Sequence, residues 1–463
     1  MPNSLLLLTA ISSDKLLFLG CSRGRLFEGR KSARNNRLDA LNLACWIEFV
    51  QEVVITGMGI VCPLGIGSEA VWSAIEHRAS GVRTIPRLVE AGFPVTIGGE
   101  VPDFDGKQYV QPRKSLKVMC RETQLAFTAA ELAWADAQLT DAKIDAERLG
   151  VVLGSSVFRS ELPELTALYQ ESNKNGQFDF TRWDTAIKEL YPLWMLKYLP
   201  NMSACHIGIA KDARGPNNTI VEGDVSSLLA MIEATDTITR GHADVMLTGA
   251  TGSLLAWVDV CWHGGARMTR NNSIPSAASR PFDSARDGFV MSEGSAVFVL
   301  ESRTHAEKRG AKIFGRILGY GRRSESVSRG KKPTGQSIRQ AIQAALEMGH
   351  VSPREVGHVN AHGLSTIDDD AVEAAAIQSE LQDVPVTAPK SFVGNSGASG
   401  GAIELAISLL GLQKNQIPPT LNCDDPIDSL NVVRTTQIPK SSAMLALNHK
   451  LTGQAVALLV SGE

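Results

Sequence analysis

The sequence predicts an α/β fold built of parallel sheets covered by helices, and three observations predict it. Apolar, β-branched runs end in glycine or serine turns, as in Glu52 to Gly67, Val151 to Ser156 and Ala243 to Ala250. Elsewhere apolar residues recur at helical spacing, as in Leu228, Leu229, Met231, Ile232 and Ile238. The two kinds of segment alternate along the chain, which favours parallel strands joined through helices.

The chain has 463 residues, enough for one large domain or two. Its 43% hydrophobic and 21% charged residues are ordinary for a globular protein. A net charge of -3 gives no ground for expecting nucleic acid as a partner. Seven scattered cysteines with no CxxC pair indicate neither a zinc site nor a disulfide framework, so a reduced, cytoplasmic setting is expected. No apolar run approaches the ~20 residues that span a bilayer, and no membrane partner is expected.

Residues 1–50 differ from the rest. Leu5 to Leu8 is apolar, and Arg23, Arg25, Arg30, Lys31, Arg34 and Arg37 follow it. A signal peptide has the reverse order, and Asp14, Glu28 and Asp39 are too acidic for a transit peptide. This leader, disordered or mis-assigned, is set outside the fold. Glu52 to Gly67 then reads as a buried strand with a glycine-rich exit. It contains Gly57-Met58-Gly59 but no GxGxxG with an acidic partner downstream, so a dinucleotide site has little support and no cofactor is expected. Glu69 to Ala79 is a helix, Val151 to Ser156 a strand, and 157–200 an aromatic-rich irregular insertion. Thr219 to Val221 reads as a buried strand, followed by a sharp turn through Gly223 and Asp224 into a helix. Further strands are expected at 243–250 and 297–301, with helices at 304–310, 337–348, 370–380 and 402–412. His358 to Thr366 is a strand entering a turn, and Lys390 to Gly401 a flexible glycine-rich loop.

Several of these stretches resemble one family. Gly215 to Ala230, GPNNTIVEGDVSSLLA, is similar to the nucleophile segment of the beta-ketoacyl-acyl-carrier-protein synthases, which reads GPN-x-T-I-V-x-A-C. Val53 to Gly65 resembles the family's first strand, and Arg280 to Ala296 its RPFD-x-x-RDGFV-x-GEGAG segment, with Ser292 and Ala296 where glycines are usual. The resemblance runs from about residue 52 to the end. It implies the thiolase-type fold, two similar halves in five α-β-α-β-α layers, here 51–310 and 311–463. It also implies a dimer joined through the strand at Asn218 to Val221, with 157–200 capping the pocket and meeting the partner.

Carried over residue by residue, the resemblance gives four candidate site positions. Asp224 stands in the place of the nucleophilic cysteine. A carboxylate there is a poor nucleophile, and a helix cap is its plain structural role. His362, in Asn360-Ala361-His362-Gly363, stands for the first histidine of NAHGTST, with Leu364 replacing a threonine. Lys390 stands for the lysine of K-S-x-x-G-H, which orders the site, and Asn395 for that segment's histidine. In the C-terminal loop, His449 and Lys450 stand where the resemblance expects an aromatic residue and a glycine, which puts the oxyanion hole in question. His449 offers itself as a new base, and Cys205 as a substitute thiol; no base is paired with Cys205 in the sequence. The implied function is a non-condensing partner subunit of fatty acid or polyketide synthesis, resembling a chain length factor. Its implied partners are acyl carrier protein and either a second copy or an active ketosynthase. The alternatives are an active 3-oxoacyl synthase by another route and a malonyl-carrier-protein decarboxylase.

Overall fold

A computed structural model describes residues 51–463 except 264–266, 329–330 and 428–429. The chain divides into two units, Met1–Val50 and Gln51–Glu463. In the first, only two short antiparallel pairings are described, Ile11–Ser12 with Lys15–Leu16 and Cys21–Ser22 with Arg25–Leu26. The expectation of a leader otherwise lies outside the described residues.

The second unit is built of two equivalent runs of elements. The first run is β1 (Val53–Cys62), α1 (Arg121–Asp136), β2 (Leu149–Gly154), α2 (Met202–Ala210), β3 (Asn217–Ile220), α3 (Ser226–Thr239), β4 (Val245–Ser253) and β5 (Glu293–Ser302). The second is β6 (Gly315–Ser324), α4 (Gln336–Gly349), β7 (His358–Asn360), α5 (Ile367–Leu381), β8 (Val386–Thr387), α6 (Gly400–Gln413), β9 (Ala443–His449) and β10 (Gln454–Gly462). The strand orders are β3-β2-β4-β5-β1 and β8-β7-β9-β10-β6, each with two parallel pairings followed by two antiparallel ones. Among the described residues, the ladder between the two half-sheets consists of Ile55 with Gly315 and Val54 with Arg316.

Strand alternation sets the layers. On β5, Ala296, Phe298 and Leu300 face a core shared with α3 and α6, while Val297 and Val299 face α1. On β10, Val456, Leu458 and Val460 face that same central core, while Ala455, Ala457 and Leu459 face α4 and α5. The result is helix, sheet, helix, sheet, helix: the five layers the resemblance implies. Both halves use one packing device. A Cβ on Gly57 or Gly59 would lie 2.6 or 2.1 Å from a carbonyl of Ala133 or Ala129 on α1. A Cβ on Gly319 or Gly321 would lie 2.4 or 2.0 Å from a carbonyl of Ala345 or Ala341 on α4. Glycine lets a helix backbone lie against the first strand of each half.

Three expectations need correction. The strand at Thr219 to Val221 is not buried: β3 ends at Ile220, pairs only with β2, and its residues are exposed or half-exposed. The stretch from Lys390 to Gly401 is no open loop. Every residue in it is buried, and it forms a short helix (Lys390–Val393) and a 3-10 turn (Gly397–Ser399). The insertion at 157–200 carries a helix, Leu162–Glu171, and a small hairpin pairing Asn173–Lys174 with Gln177–Phe178. Among the described residues no helix is long and apolar enough to cross a membrane.

Candidate active site

The two central helices meet end-on. A 3-10 turn, Gly223–Val225, leads into α3, and Gly397–Ser399 leads into α6. The turn at 223 needs φ = +57°, which glycine adopts without strain. Asp224 follows it, half-buried. The cap reading of Asp224 fails. Val225 precedes α3 and no side chain caps that helix. Instead Ser226 Oγ accepts the Glu222 N–H at 2.7 Å. Among the described residues the Asp224 carboxylate makes no hydrogen bond or ion pair, so it is free to face the site. Its charge raises the pKa of Glu404 and opposes the lowering of His263 by burial.

His362 lies just past β7, where the strand hands it to a buried turn. Its backbone N–H and that of Gly363 donate to the two oxygens of Glu373 on α5, at 2.7 and 2.8 Å. Its Nδ1 faces Lys390 Nζ at 3.1 Å and Asn448 Nδ2 at 3.2 Å. Both neighbours are donors, so Nδ1 accepts and the ring proton sits on Nε2. Burial first, then the charges of Lys390, His449 and Arg267, hold this imidazole well below its usual pKa. Lys390 Nζ also donates to the His362 carbonyl at 2.8 Å and pairs with Glu404 Oε1 at 2.5 Å. Burial raises the Glu404 pKa, and the Lys390 pair works against it.

Asn395 is fixed by its backbone. Its N–H donates to Val290 O and its carbonyl accepts from Ser292 N, each at 2.8 Å. Its Oδ1 accepts the Gly397 N–H at 3.1 Å, which leaves Nδ2 as a donor without a partner among the described residues.

The C-terminal turn departs furthest from a working condensing site. β9 and β10 form a hairpin closed by Lys450 N–H to Gln454 O and Gly453 N–H to Lys450 O, both 2.9 Å. The Lys450 N–H is therefore spent inside the hairpin. The Lys450 side chain lies along the nucleophile turn: its Cε would be 3.6 Å from a Cβ on Gly223, and its Nζ is 3.5 Å from Glu222. His449 packs edge-on against His362, ring centroids 4.8 Å apart, with Nε2 3.6 Å from Glu373. Burial disfavours its charged form, but Glu373, Asp369 and Asp370 more than offset that and raise its pKa. These surroundings favour the imidazolium, the opposite of what a base requires.

The structure thus gathers His362 and Lys390 into one network and places the free amide of Asn395 and the free carboxylate of Asp224 on turns that lead into the paired helices. Cys205 is not part of it; that thiol is half-buried on α2 beside Asn201. Sequence reasoning missed Glu373, Glu404, Asn448 and His263. One signal was present for Glu404: it is the single charge in the otherwise apolar run Ala402 to Leu412, and such a buried charge requires a partner. His263 had none, since its place beside Asp224 arises from tertiary contact.

Known proteins share this framework. The N-terminal domain of beta-ketoacyl synthases matches residues 50–306, and their C-terminal domain residues 314–424. The tetracenomycin polyketide synthase ketoacyl synthase alpha subunit of Streptomyces glaucescens is 35% identical over 384 residues, 81% of this chain and 88% of that protein. Two solved structures superpose with TM-scores of 0.77, each over 89% of this chain and 99% of the other. They are the ishigamide ketosynthase/chain length factor, 25% identical, and a type II polyketide acyl-carrier protein in complex with its ketosynthase, 26% identical. The chain belongs to the beta-ketoacyl synthase family.

Proposed function

We propose that this chain is the non-condensing member of a ketosynthase pair in fatty acid or polyketide synthesis, acting beside an active ketosynthase and its acyl carrier protein. The observation that carries the reading is the Asp224 carboxylate, which stands in the nucleophile's place on the turn into α3 and makes no hydrogen bond or ion pair among the described residues. Condensation needs a nucleophile that retains the acyl chain and two N–H groups aimed at the developing oxyanion. Here a carboxylate replaces the thiol, and His449 and Lys450 stand in the loop where the resemblance expects an aromatic residue and a glycine. An acyl group on Asp224 would be a mixed anhydride, which water cleaves readily. What is retained is a scaffold: the His362–Lys390–Glu404 network and the packed loop carrying Asn395.

The surface supports a partner. Among the described residues β3 leaves one sheet edge unpaired; Ile209 (79% exposed) lies on the adjoining helix α2, and Phe180 (73%) is an exposed aromatic of the 157–200 insertion. An open edge beside an exposed apolar side chain is a surface that proteins cover. A similar chain of known structure is itself part of a ketosynthase/chain length factor pair. The test is co-expression with an intact cysteine ketosynthase. A stable one-to-one complex whose products change in length without this chain supports the reading. An active, self-sufficient homodimer overturns it.

A second reading, decarboxylation of a malonyl thioester, has one supporting observation: the unpartnered Asn395 Nδ2 and the proton on His362 Nε2 are donors suited to an enolate oxygen.

A further inference from the structure

The turn that carries Asp224 packs against the Gly397–Ser399 turn, which follows Asn395, and against the end of β9, where Asn448 holds His362. Three side chains with unspent bonding capacity are therefore carried by elements that touch one another. The Asp224 carboxylate makes no hydrogen bond or ion pair among the described residues. Lys450, the cation lying along its turn, pairs with Glu222 at 3.5 Å and leaves that charge in place. Asn395 is 5% exposed; its Oδ1 takes the Gly397 N–H, and its Nδ2 has no acceptor among the described residues. His362 is buried and carries its proton on Nε2, again with no acceptor among them. Asp224 itself is half-buried, so water reaches it.

A free proton acceptor open to water, with two buried donors beyond it, is the equipment for adding water to a carbonyl. We propose that this pocket hydrolyses acyl thioesters, with Asp224 taking the proton of the attacking water and the Asn395 Nδ2–H and His362 Nε2–H binding the carbonyl oxygen. The water oxygen bonds to the acyl carbon while its proton passes to Asp224. The carbonyl electron pair moves onto oxygen, between the two donors. As that oxyanion collapses the C–S bond breaks, and Asp224 returns the proton to the departing sulfur. Acyl thioester and water become carboxylic acid and thiol, with nothing oxidised or reduced.

Charge explains why a carboxylate suits this step. A forming enolate would stand beside an Asp224 that stays ionised. In hydrolysis the negative charge leaves Asp224 as it arrives on the oxyanion, so the two do not coexist. The two donors then face charge that develops only in the transition state. A thiol in this place would itself be acylated. The inference rests on the proposed function only in taking the pocket as one that receives an acyl thioester; it needs no partner ketosynthase.

The experiment gives the purified full-length protein the octanoyl thioester of N-acetylcysteamine in heavy-oxygen water and follows thiol release. Saturable release above the uncatalysed rate is expected, with one heavy oxygen in the octanoic acid and none in the Asp224 peptide. Asp224→Asn, at a half-buried position without partners, should lose roughly 100-fold or more with its melting temperature unchanged. Asn395→Ala should lose a similar factor through the missing donor. Release no faster than in buffer, or an Asp224→Asn variant as fast as the native protein, overturns the proposal. Heavy oxygen in Asp224 also overturns it, since the carboxylate would then have been acylated. A ketone analogue, with a methylene between carbonyl and sulfur, separates the two readings. Binding of the analogue without hydrolysis of the thioester sinks the hydrolase alone; absence of both sinks the acyl-thioester pocket as well.

Discussion

The backbone N–H of Lys450 donates to the carbonyl of Gln454 at 2.9 Å, and that bond closes the hairpin beside Asp224. It bears directly on whether restoring a thiol restores catalysis. The native protein should take up no acyl group from acyl-carrier protein or acyl-CoA, read by intact mass. Asp224→Cys should acquire one yet condense at least ~100-fold more slowly than an ordinary ketosynthase, since Asn395 and the 447–453 loop also differ from the family's pattern and the loss of one oxyanion donor alone costs about that factor. Turnover near the ordinary rate in this variant would show that the 447–453 loop is competent as it stands.

Decarboxylation separates the two remaining readings. A carboxylate near a forming enolate repels it by ~4 kcal/mol at 4 Å for an effective dielectric of 20. That corresponds to a rate loss of roughly a thousandfold. The native protein should therefore release little carbon dioxide from malonyl-carrier protein, and Asp224→Gln distinctly more. Equal rates would mean that Asp224 does not face the substrate, and would favour the decarboxylase reading over the subunit one.

Lys390 and Glu404 are both buried and pair at 2.5 Å. Lys390→Met leaves Glu404 as an unpaired buried carboxylate and should cost about 3–5 kcal/mol of stability in denaturant unfolding. The double variant Lys390→Met, Glu404→Leu should recover most of that loss. If the double variant is no more stable than the single one, the cost lies in the lost contacts to His362 instead.

The pKa of His449 is raised in the folded protein. Its contribution to stability is therefore fully present below its unfolded pKa of about 6.5 and is lost as pH rises through the folded value. His449→Gln should destabilise the protein more at roughly pH 6 than at roughly pH 9. His362, held low, works in the opposite sense: it costs stability as pH falls below about 6.5, and because the His449 charge contributes to that lowering, the variant eases the cost and narrows the gap at low pH. A gap between wild type and variant that is constant with pH would mean that His449 is neutral throughout.

The uncovered edge of β3 predicts a dimer, with itself or with a partner ketosynthase, burying well over ~2,000 Å². Sedimentation should show no monomer at micromolar concentration. Ile209→Lys with Phe180→Lys should release monomers, because each places a charge in an apolar surface. A wild-type protein that sediments as a stable monomer would contradict this.

Local pattern determined much of this protein. The alternation of β-branched runs with helical spacing announced an α/β fold, because both periods are set by which side of one element is buried. The turn at Gly223 and the replacement at Asp224 were equally legible, since each is a matter of neighbours in sequence. The glycines at 57 and 59 could be seen but not explained; their reason is α1, whose backbone lies within contact distance only after folding. The same holds for the site. Lys390 and Glu404 are 14 residues apart and read as separate charges until the burial of α6 forces them together. Sequence offered His449 as a base, and the tertiary structure decided otherwise by placing three carboxyl groups, from Glu373, Asp369 and Asp370, around it. The edge position of β3 was likewise decided by strand order, since a run of β-branched residues reads alike whether one neighbour or two will cover it.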